Sequence, residues 1–246
     1  MKLAVVADIH GNVLALEAVL ADLKREAPDA VVNLGDCVSG PLWPEETAAL
    51  LRDLNWPTVR GNHDRVVAAG QVPAENRTDR FTLERLSTES LSWLATLQPS
   101  ISFSEDILLC HGTPESDLAH LTEMISDGRL TLAREDIIAD RLKAVTAPLI
   151  CAGHTHIPRL VALAGRRQTV LNPGSVGLPG YHDDTPVPHI SEAGTPHARY
   201  AVMEETSDGW RFDLRAVVYD WDRAAAEAAR NGRPDWAKPL ASGFCG

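Results

Sequence analysis

The sequence contains no run of about 20 apolar residues, which excludes a membrane-spanning helix. Its opening Met1–Ala7 turns polar at Asp8, too short a stretch for the core of a signal peptide. The four cysteines, Cys37, Cys110, Cys151 and Cys245, are dispersed and form no Cys-x-x-Cys. That pattern best fits free thiols in a cytoplasmic protein. Positive charge is also scarce: 34 Asp and Glu against 23 Lys and Arg leave a net charge of −11. A broad basic face for nucleic acid or an anionic membrane is therefore excluded. A small anion held at a locally positive site is not. No internal repeat and no linker divide the chain.

What is present is a globular composition, 44% hydrophobic and 23% charged over 246 residues, read as a single domain spanning 1–246. Apolar runs predict strands at 2–7, 30–34, 58–60 and 149–152. Helical spacing predicts helices over 12–26, from Pro44 onward, over 79–97, over 131–145 and over 221–230. Hairpins are expected at 101–111 and 160–171, with a late β-hairpin at 201–219. The alternation of strands and helices predicts βαβ units and an α/β fold. Residues 178–197 are rich in Pro, Gly, His and Ser without periodicity. They predict a long irregular loop, which could be a substrate lid or a surface used in self-association.

Five short clusters carry the chemistry: Asp8-Ile9-His10, Gly35-Asp36, Gly61-Asn62-His63-Asp64, His111-Gly112 and Gly153-His154-Thr155-His156. Each follows an apolar strand. In an open α/β sheet the loops leaving the carboxyl ends of the strands converge on one crevice, so these groups can meet. Any one cluster alone is an ordinary polar turn. Together they supply carboxylates and imidazoles, the donor set for two divalent transition-metal ions: manganese first, with iron, nickel, cobalt or zinc compatible. Two such ions could clamp a phosphate and activate water for in-line attack. Cys37, Cys110 and Cys151 neighbour these clusters and read as small buried hydrophobes. The scattered tryptophans read as core or interface, with the cleft border as a second place for Trp43.

This ordered set resembles the signature of the calcineurin-like metallophosphoesterase superfamily: Asp-x-His, Gly-Asp, Gly-Asn-His-(Asp/Glu), His, Gly-His-x-His. Gly40-Pro41-Leu42-Trp43-Pro44-Glu45, Asn172-Pro173-Gly174-Ser175-Val176-Gly177 and Asn231–Trp236 extend the resemblance to the small prokaryotic phosphoesterases. The resemblance implies a four-layer α/β/β/α sandwich of the metallophosphoesterase type. It implies that Asp8, His10 and His156 hold one metal, that Asp36 bridges, and that Asn62, His111 and His154 complete the second. His63 would sit over the phosphate as a catalytic group and protonate the leaving oxygen. Asp64 would orient His63 or cap a helix. Arg60, with Asn62 and His63, could contact substrate. Asn172 and Ser175 would support the site or end a strand.

The function so implied is hydrolysis of a small phosphate ester, as a phosphodiesterase or phosphatase, by a metal-bridging hydroxide. The site would retain about +1 despite the acidic chain. A dinucleoside polyphosphate hydrolase and a non-catalytic metal-bound scaffold are the alternatives. The partners implied are a small phosphorylated substrate and, as in related small phosphoesterases, a second copy of the chain. The sequence departs from the family at Cys37-Val38-Ser39-Gly40-Pro41, which lacks an aromatic residue, and at Gly180.

Overall fold

The computed structural model describes all 246 residues. Strand β1 (Lys2–Val6) leads into helix α1 (Val13–Glu26), which starts where the Asn12 side chain accepts a hydrogen bond from the Ala15 amide at 3.2 Å. Lys24 and Arg25 lie in its last turn, favourable at the negative end of the helix dipole. Strand β2 (Ala30–Asn33) follows, then α2 (Pro44–Leu54), with Pro in the first turn and Glu45 and Glu46 beside it. No strand forms at 58–60. That segment makes only single bridges, Asn33 with Thr58 and Val59 with Gln98, before α3 (Asn62–Ala68) begins.

The single helix expected over 79–97 is two: α4 (Arg77–Leu83) and α5 (Thr88–Thr96). Ser87 breaks the run by capping α5, its hydroxyl accepting from the Ser90 amide. The same hydroxyl and the Ser87 amide donate to Glu45 of α2, which fixes the break. Strands β3 (Ser100–Ser102) and β4 (Ile107–Cys110) pair antiparallel, as expected.

Strands β5 (Glu123–Ser126) and β6 (Arg129–Leu132) come next, so the start of the helix predicted over 131–145 is strand. Only α6 (Glu135–Arg141) is helical there. Strand pairing, Leu132 with Glu123 and Thr131 with Met124, overrides the local helical spacing. Strands β7 (Leu149–Cys151), β8 (Arg159–Leu163) and β9 (Gln168–Asn172) follow.

Residues 178–197 are not irregular throughout. They contain β10 (Gly180–Asp183) and β11 (His189–Glu192), paired antiparallel, with β11 joined to β6 at Ile190 and Arg129. Strands β12 (Ala198–Thr206) and β13 (Gly209–Val217) pair along their whole length. Helices α7 (Trp221–Arg230) and α8 (Pro234–Ser242) end the chain.

The result is a mixed α/β fold with three sheets: β13-β12-β1-β2, β3-β4-β7-β9-β8 and the small β10-β11-β6-β5. Side-chain alternation along β1 divides the core. Leu3 and Val5 pack with Ile107, Leu109, Leu149 and Cys151, filling the space between the two larger sheets. Ala4 and Val6 pack with Leu16 and Val19 of α1 and with Ala224 of α7. Ile150 and Val170, from the other face of the second sheet, pack with Ile138 of α6 and Leu142 just beyond it. No helix is long and apolar enough to cross a membrane. This packing brings the carboxyl ends of β1, β2, β4 and β7 to one rim, where four of the five sequence clusters begin.

Candidate metal centre

The loops at that rim are strained in a common way. Asp8, His10, Asp36, His154 and His156 all have positive φ, between 51° and 69°. The left-handed region disfavours residues with a side chain, by about 1–2 kcal/mol each. Five such residues converging on one crevice mark a place where placement of side chains has overridden backbone preference. Gly61 is required by the same crowding: a Cβ there would lie 2.1 Å from Asp36 Oδ1.

The structure brings the candidate ligands together as two buried groups, Asp8 with His10 and His156, and Asp36 with His111 and His154. Asn62 joins the second group, its Oδ1 3.0 Å from His111 Nε2. Backbone carbonyls fix the imidazole tautomers, because a carbonyl can only accept. His10 Nδ1 donates to Ser39 O at 2.7 Å, His111 Nδ1 to Leu34 O at 2.7 Å and His156 Nδ1 to Leu178 O at 2.6 Å. In a neutral ring each Nε2 then presents a lone pair to the crevice. His154 is turned the other way: its Nε2 donates to Leu118 O at 3.1 Å, which leaves Nδ1 as its donor atom.

The spacing of these atoms fits metal ions. His10 Nε2 and His156 Nε2 are 3.1 Å apart, His156 Nε2 and Asp8 Oδ1 3.4 Å, and His111 Nε2 and Asp36 Oδ2 3.2 Å. Two ligands each about 2.1 Å from one ion lie at roughly these separations. Two imidazole lone pairs at 3.1 Å also repel unless a cation or a proton lies between them. Asp36 Oδ2 lies 3.2 Å from His111 Nε2 and 3.9 Å from His10 Nε2, so one carboxylate oxygen faces both groups.

The electrostatics differ between the ligands: burial lowers His111, but Asp36 outweighs it and brings it up to about 9. Burial, then the neighbouring His156, pushes His10 down to about 4, so it stands neutral as a ligand must. Burial, then His111, holds His154 well below the ordinary imidazole value. Burial raises Asp36, but His111, His63 and His10 outweigh it and hold the carboxyl well below its ordinary value. No Lys or Arg pairs with Asp8 or Asp36. The buried Cys37, Cys110 and Cys151 are pushed up by burial, remain thiols, and offer no sulfur ligand.

Beside the two groups lies a cleft of about 370 Å³. His63 lines it, with Nδ1 2.7 Å from Asp79 Oδ1. Asp79 is 1% exposed and also accepts from Asn76 Nδ2 at 2.6 Å and from the Ser39 hydroxyl. Burial lowers His63, but the Asp79 and Asp36 carboxylates outweigh it and bring it up to about 10 in the metal-free protein.

Asp64, the partner expected for His63, does not touch that ring. Its carboxylate accepts from the amides of Asp36 at 2.8 Å, Cys37 at 2.9 Å and Gly61 at 3.0 Å. It therefore ties the Asp36 loop to the start of α3, in the capping role. Arg60 does not line the cleft, and its Nε is buried without a partner. Trp43 does not border the cleft either. Trp236 does, 5.8 Å ring to ring from His10.

Ser175 donates to Asp8 O at 2.7 Å, and Asn172 donates to Gly153 O at 2.9 Å and to the Thr155 hydroxyl at 3.0 Å. Both brace the ligand loops. Residues 180–183 and 185, from the segment read as a loop, form one wall of the cleft. Sequence reasoning missed Asp79 and Tyr181 altogether. The stretch Asn231–Trp236 was visible as a motif but gave no sign of where it would lie.

A family model described as the calcineurin-like phosphoesterase superfamily domain matches residues 1–192. The uncharacterized protein MJ0912 of Methanocaldococcus jannaschii is 27% identical over 255 residues, covering 95% of this chain and 94% of its own. The crystal structure of a metallophosphoesterase from Sphaerobacter thermophilus matches with a TM-score of 0.78 and 26% identity, over 99% of both chains. The hypothetical protein PH1004 from Pyrococcus horikoshii matches with a TM-score of 0.77 and 20% identity, over 100% of this chain and 99% of its own, which supports the shared fold.

Proposed function

The chain belongs to the calcineurin-like phosphoesterase superfamily, and on that premise we propose that it is a dinuclear metal-dependent phosphoesterase acting on a small phosphate ester. The observation that carries the reading is Asp36 Oδ2, which faces His111 of one candidate group and His10 of the other. A carboxylate in that position serves two cations rather than one. Asp8, His10 and His156 would hold the first and Asn62, His111 and His154 the second, with Asp36 shared. The oxygen and nitrogen donors suit manganese, and equally admit iron, nickel, cobalt or zinc. When bound, two such ions supply a nucleophile from water near neutral pH and positive charge opposite the phosphoryl oxygens.

The chain's own residues supply the rest. His63 holds its Nδ1 proton on Asp79 and leaves Nε2 at the cleft, placed to donate a proton to the leaving oxygen. Asp79 fixes the ring plane and keeps the imidazolium available. Asp64 holds the Asp36 loop and the start of α3 in one geometry, through three backbone hydrogen bonds. Tyr181 and Trp236 wall the cleft, packed against His156 and His10. The four free cysteines fit a cytoplasmic setting.

The test is hydrolysis of a panel of phosphate monoesters, diesters and cyclic nucleotides with manganese, nickel, cobalt, zinc and magnesium in turn. At least one diester or monoester is expected to turn over with manganese. No hydrolysis of any ester with any of the five metals overturns the enzymatic reading and favours a metal-bound scaffold.

A further inference from the structure

In a chain of net charge −11, five arginines converge on one open groove: Arg77, Arg80, Arg85, Arg230 and Arg233, with Glu84 the one acid in its lining. They come from separate places in the sequence. Arg77 and Arg80 lie on α4, Arg230 ends α7, and Arg233 precedes α8. Arg77 Nη2 donates to Gly232 O at 3.0 Å, which ties the start of α4 to the turn between α7 and α8.

The carboxylates nearby do not balance this charge. Arg80 and Arg85 share Glu84, at 3.6 Å and 4.0 Å. Arg230 has Glu227 and Arg233 has Asp235. Arg77 pairs with no carboxylate. Like charges gathered in one groove repel one another, and an anion there relieves that repulsion.

The groove also adjoins the metal cleft. Arg233 lines both. So does the first turn of α4: Asn76, Thr78 and Asp79 face the cleft while Arg77 and Arg80 face the groove. Arg233 Nη1 donates to the Thr78 hydroxyl at 2.8 Å across this shared wall. Guanidinium groups bind phosphate oxygens through paired, charge-assisted hydrogen bonds.

We propose that the groove is a second phosphate-binding subsite beside the metal cleft, sharing Arg233 and the first turn of α4 with it as a wall. It holds a phosphate group of the substrate remote from the phosphorus under attack, so esters bearing a further phosphate are favoured. The inference rests on the phosphoesterase reading for what occupies the cleft, though not for the affinity of the groove itself.

The test uses the full chain with manganese and two probes, inorganic orthophosphate and inorganic tripolyphosphate, measured by titration calorimetry. Orthophosphate offers one phosphate group to either place, whereas tripolyphosphate carries further phosphate groups on the same molecule, as the proposal requires of a favoured substrate. One tripolyphosphate is expected per chain, bound more tightly than orthophosphate. In R77Q/R80Q the ratio of the two affinities is expected to fall about tenfold or more, the loss of one or two charged hydrogen bonds. Added salt should lower the ratio in the wild type more than in the variant.

A ratio that survives R77Q/R80Q overturns the proposal, and so does binding of two tripolyphosphates per chain, which would make the groove a separate site. Both substituted side chains are exposed. R80Q alone, with an unchanged melting temperature, is the control for folding and should show part of the same fall. A chain that hydrolyses no ester yet shows the ratio and its loss keeps the groove and forfeits the phosphoesterase reading. A chain that hydrolyses esters without showing them does the reverse.

Discussion

Asp22 and Asp36 are both buried aspartates, 5% and 1% exposed, and the protein treats them in opposite ways. Asp22, on α1, is surrounded by partners from its own chain. The Tyr200 hydroxyl donates to it at 2.6 Å, Arg215 Nη2 at 3.2 Å, and Arg25 pairs with its other oxygen. Asp36 has one backbone amide, that of His63, and imidazoles, but no Lys or Arg. The imidazoles of His10, His111 and His156 are turned by the Ser39, Leu34 and Leu178 carbonyls so that Nε2 faces inward. One carboxylate is compensated from within. The other is held by the imidazoles of His111, His63 and His10, with no Lys or Arg from the chain, and the left-handed backbone at four of its neighbours and itself is the cost of that arrangement. The contrast separates a stabilising ion pair from a binding site more sharply than burial does.

The contrast is broken most severely by exchanging the two acids for their amides. Asp36→Asn is expected to lower kcat/KM by about three orders of magnitude or more, since cation chemistry is worth several kcal/mol. Asp22→Asn should leave kcat/KM within about twofold, because it lies outside the cleft and acts on stability alone. Thermal melting supplies the complement. Manganese at about 100 times its Kd should stabilise the wild type by roughly 2.7 kcal/mol, a rise of about 5–10 °C in Tm. Asp22→Asn should show the same rise and Asp36→Asn little of it. An equal manganese shift in all three proteins removes the distinction.

Asp79 lies between these extremes, paired by the chain yet facing the cleft. Asp79→Asn should lower kcat roughly 10–100-fold with KM changed much less, as expected for a residue acting through a general acid. An equal change in KM instead makes Asp79 part of the binding wall. This residue also shows why the site was only partly legible. The clusters could be read because four of the five follow a strand and the topology sends those strand ends to one rim. Asp79 sits in a helix, 16 residues beyond His63, and reaches it only because α4 folds back over Ser39. Asp64, adjacent in sequence, offered a local answer that the loop amides had already taken.

The fold was legible to the same degree. Long amphipathic stretches such as 13–26 declare themselves. The four-residue strands β5, β6, β10 and β11 exist only through one another. Ser87 splits a helix because Glu45, distant in sequence, holds it.

The pH dependence of stability sharpens the Asp22 side. Burial raises its carboxyl, but Tyr200, Arg25 and Arg215 outweigh burial and hold it below its ordinary value. A carboxyl lower in the folded than in the unfolded chain adds stability above its unfolded pKa of about 3.9, and that contribution is lost as pH falls through the folded value. Asp22→Asn should therefore cost about 1–2 kcal/mol at pH 7, measured by urea denaturation. The gap to wild type should narrow below about pH 4. A gap constant from pH 7 to pH 3 shows that the charge of Asp22 contributes nothing.

The smallest effect lies inside the same cluster. Arg25 pairs with Asp22, but its side chain is 72% exposed, while that of Arg215 is 30% exposed and reaches both Asp22 and Glu26. Water competes for an exposed guanidinium, and holding it in one geometry costs side-chain entropy. Arg25→Ala should thus cost at most about 0.5 kcal/mol at pH 7, shrinking further in salt. Tyr200 and Arg215 would still satisfy Asp22, so the acid limb of the stability curve should keep its shape. A loss as large as that of Asp22→Asn would mean that the exposed partner, and not the buried pair, sets the carboxylate's charge.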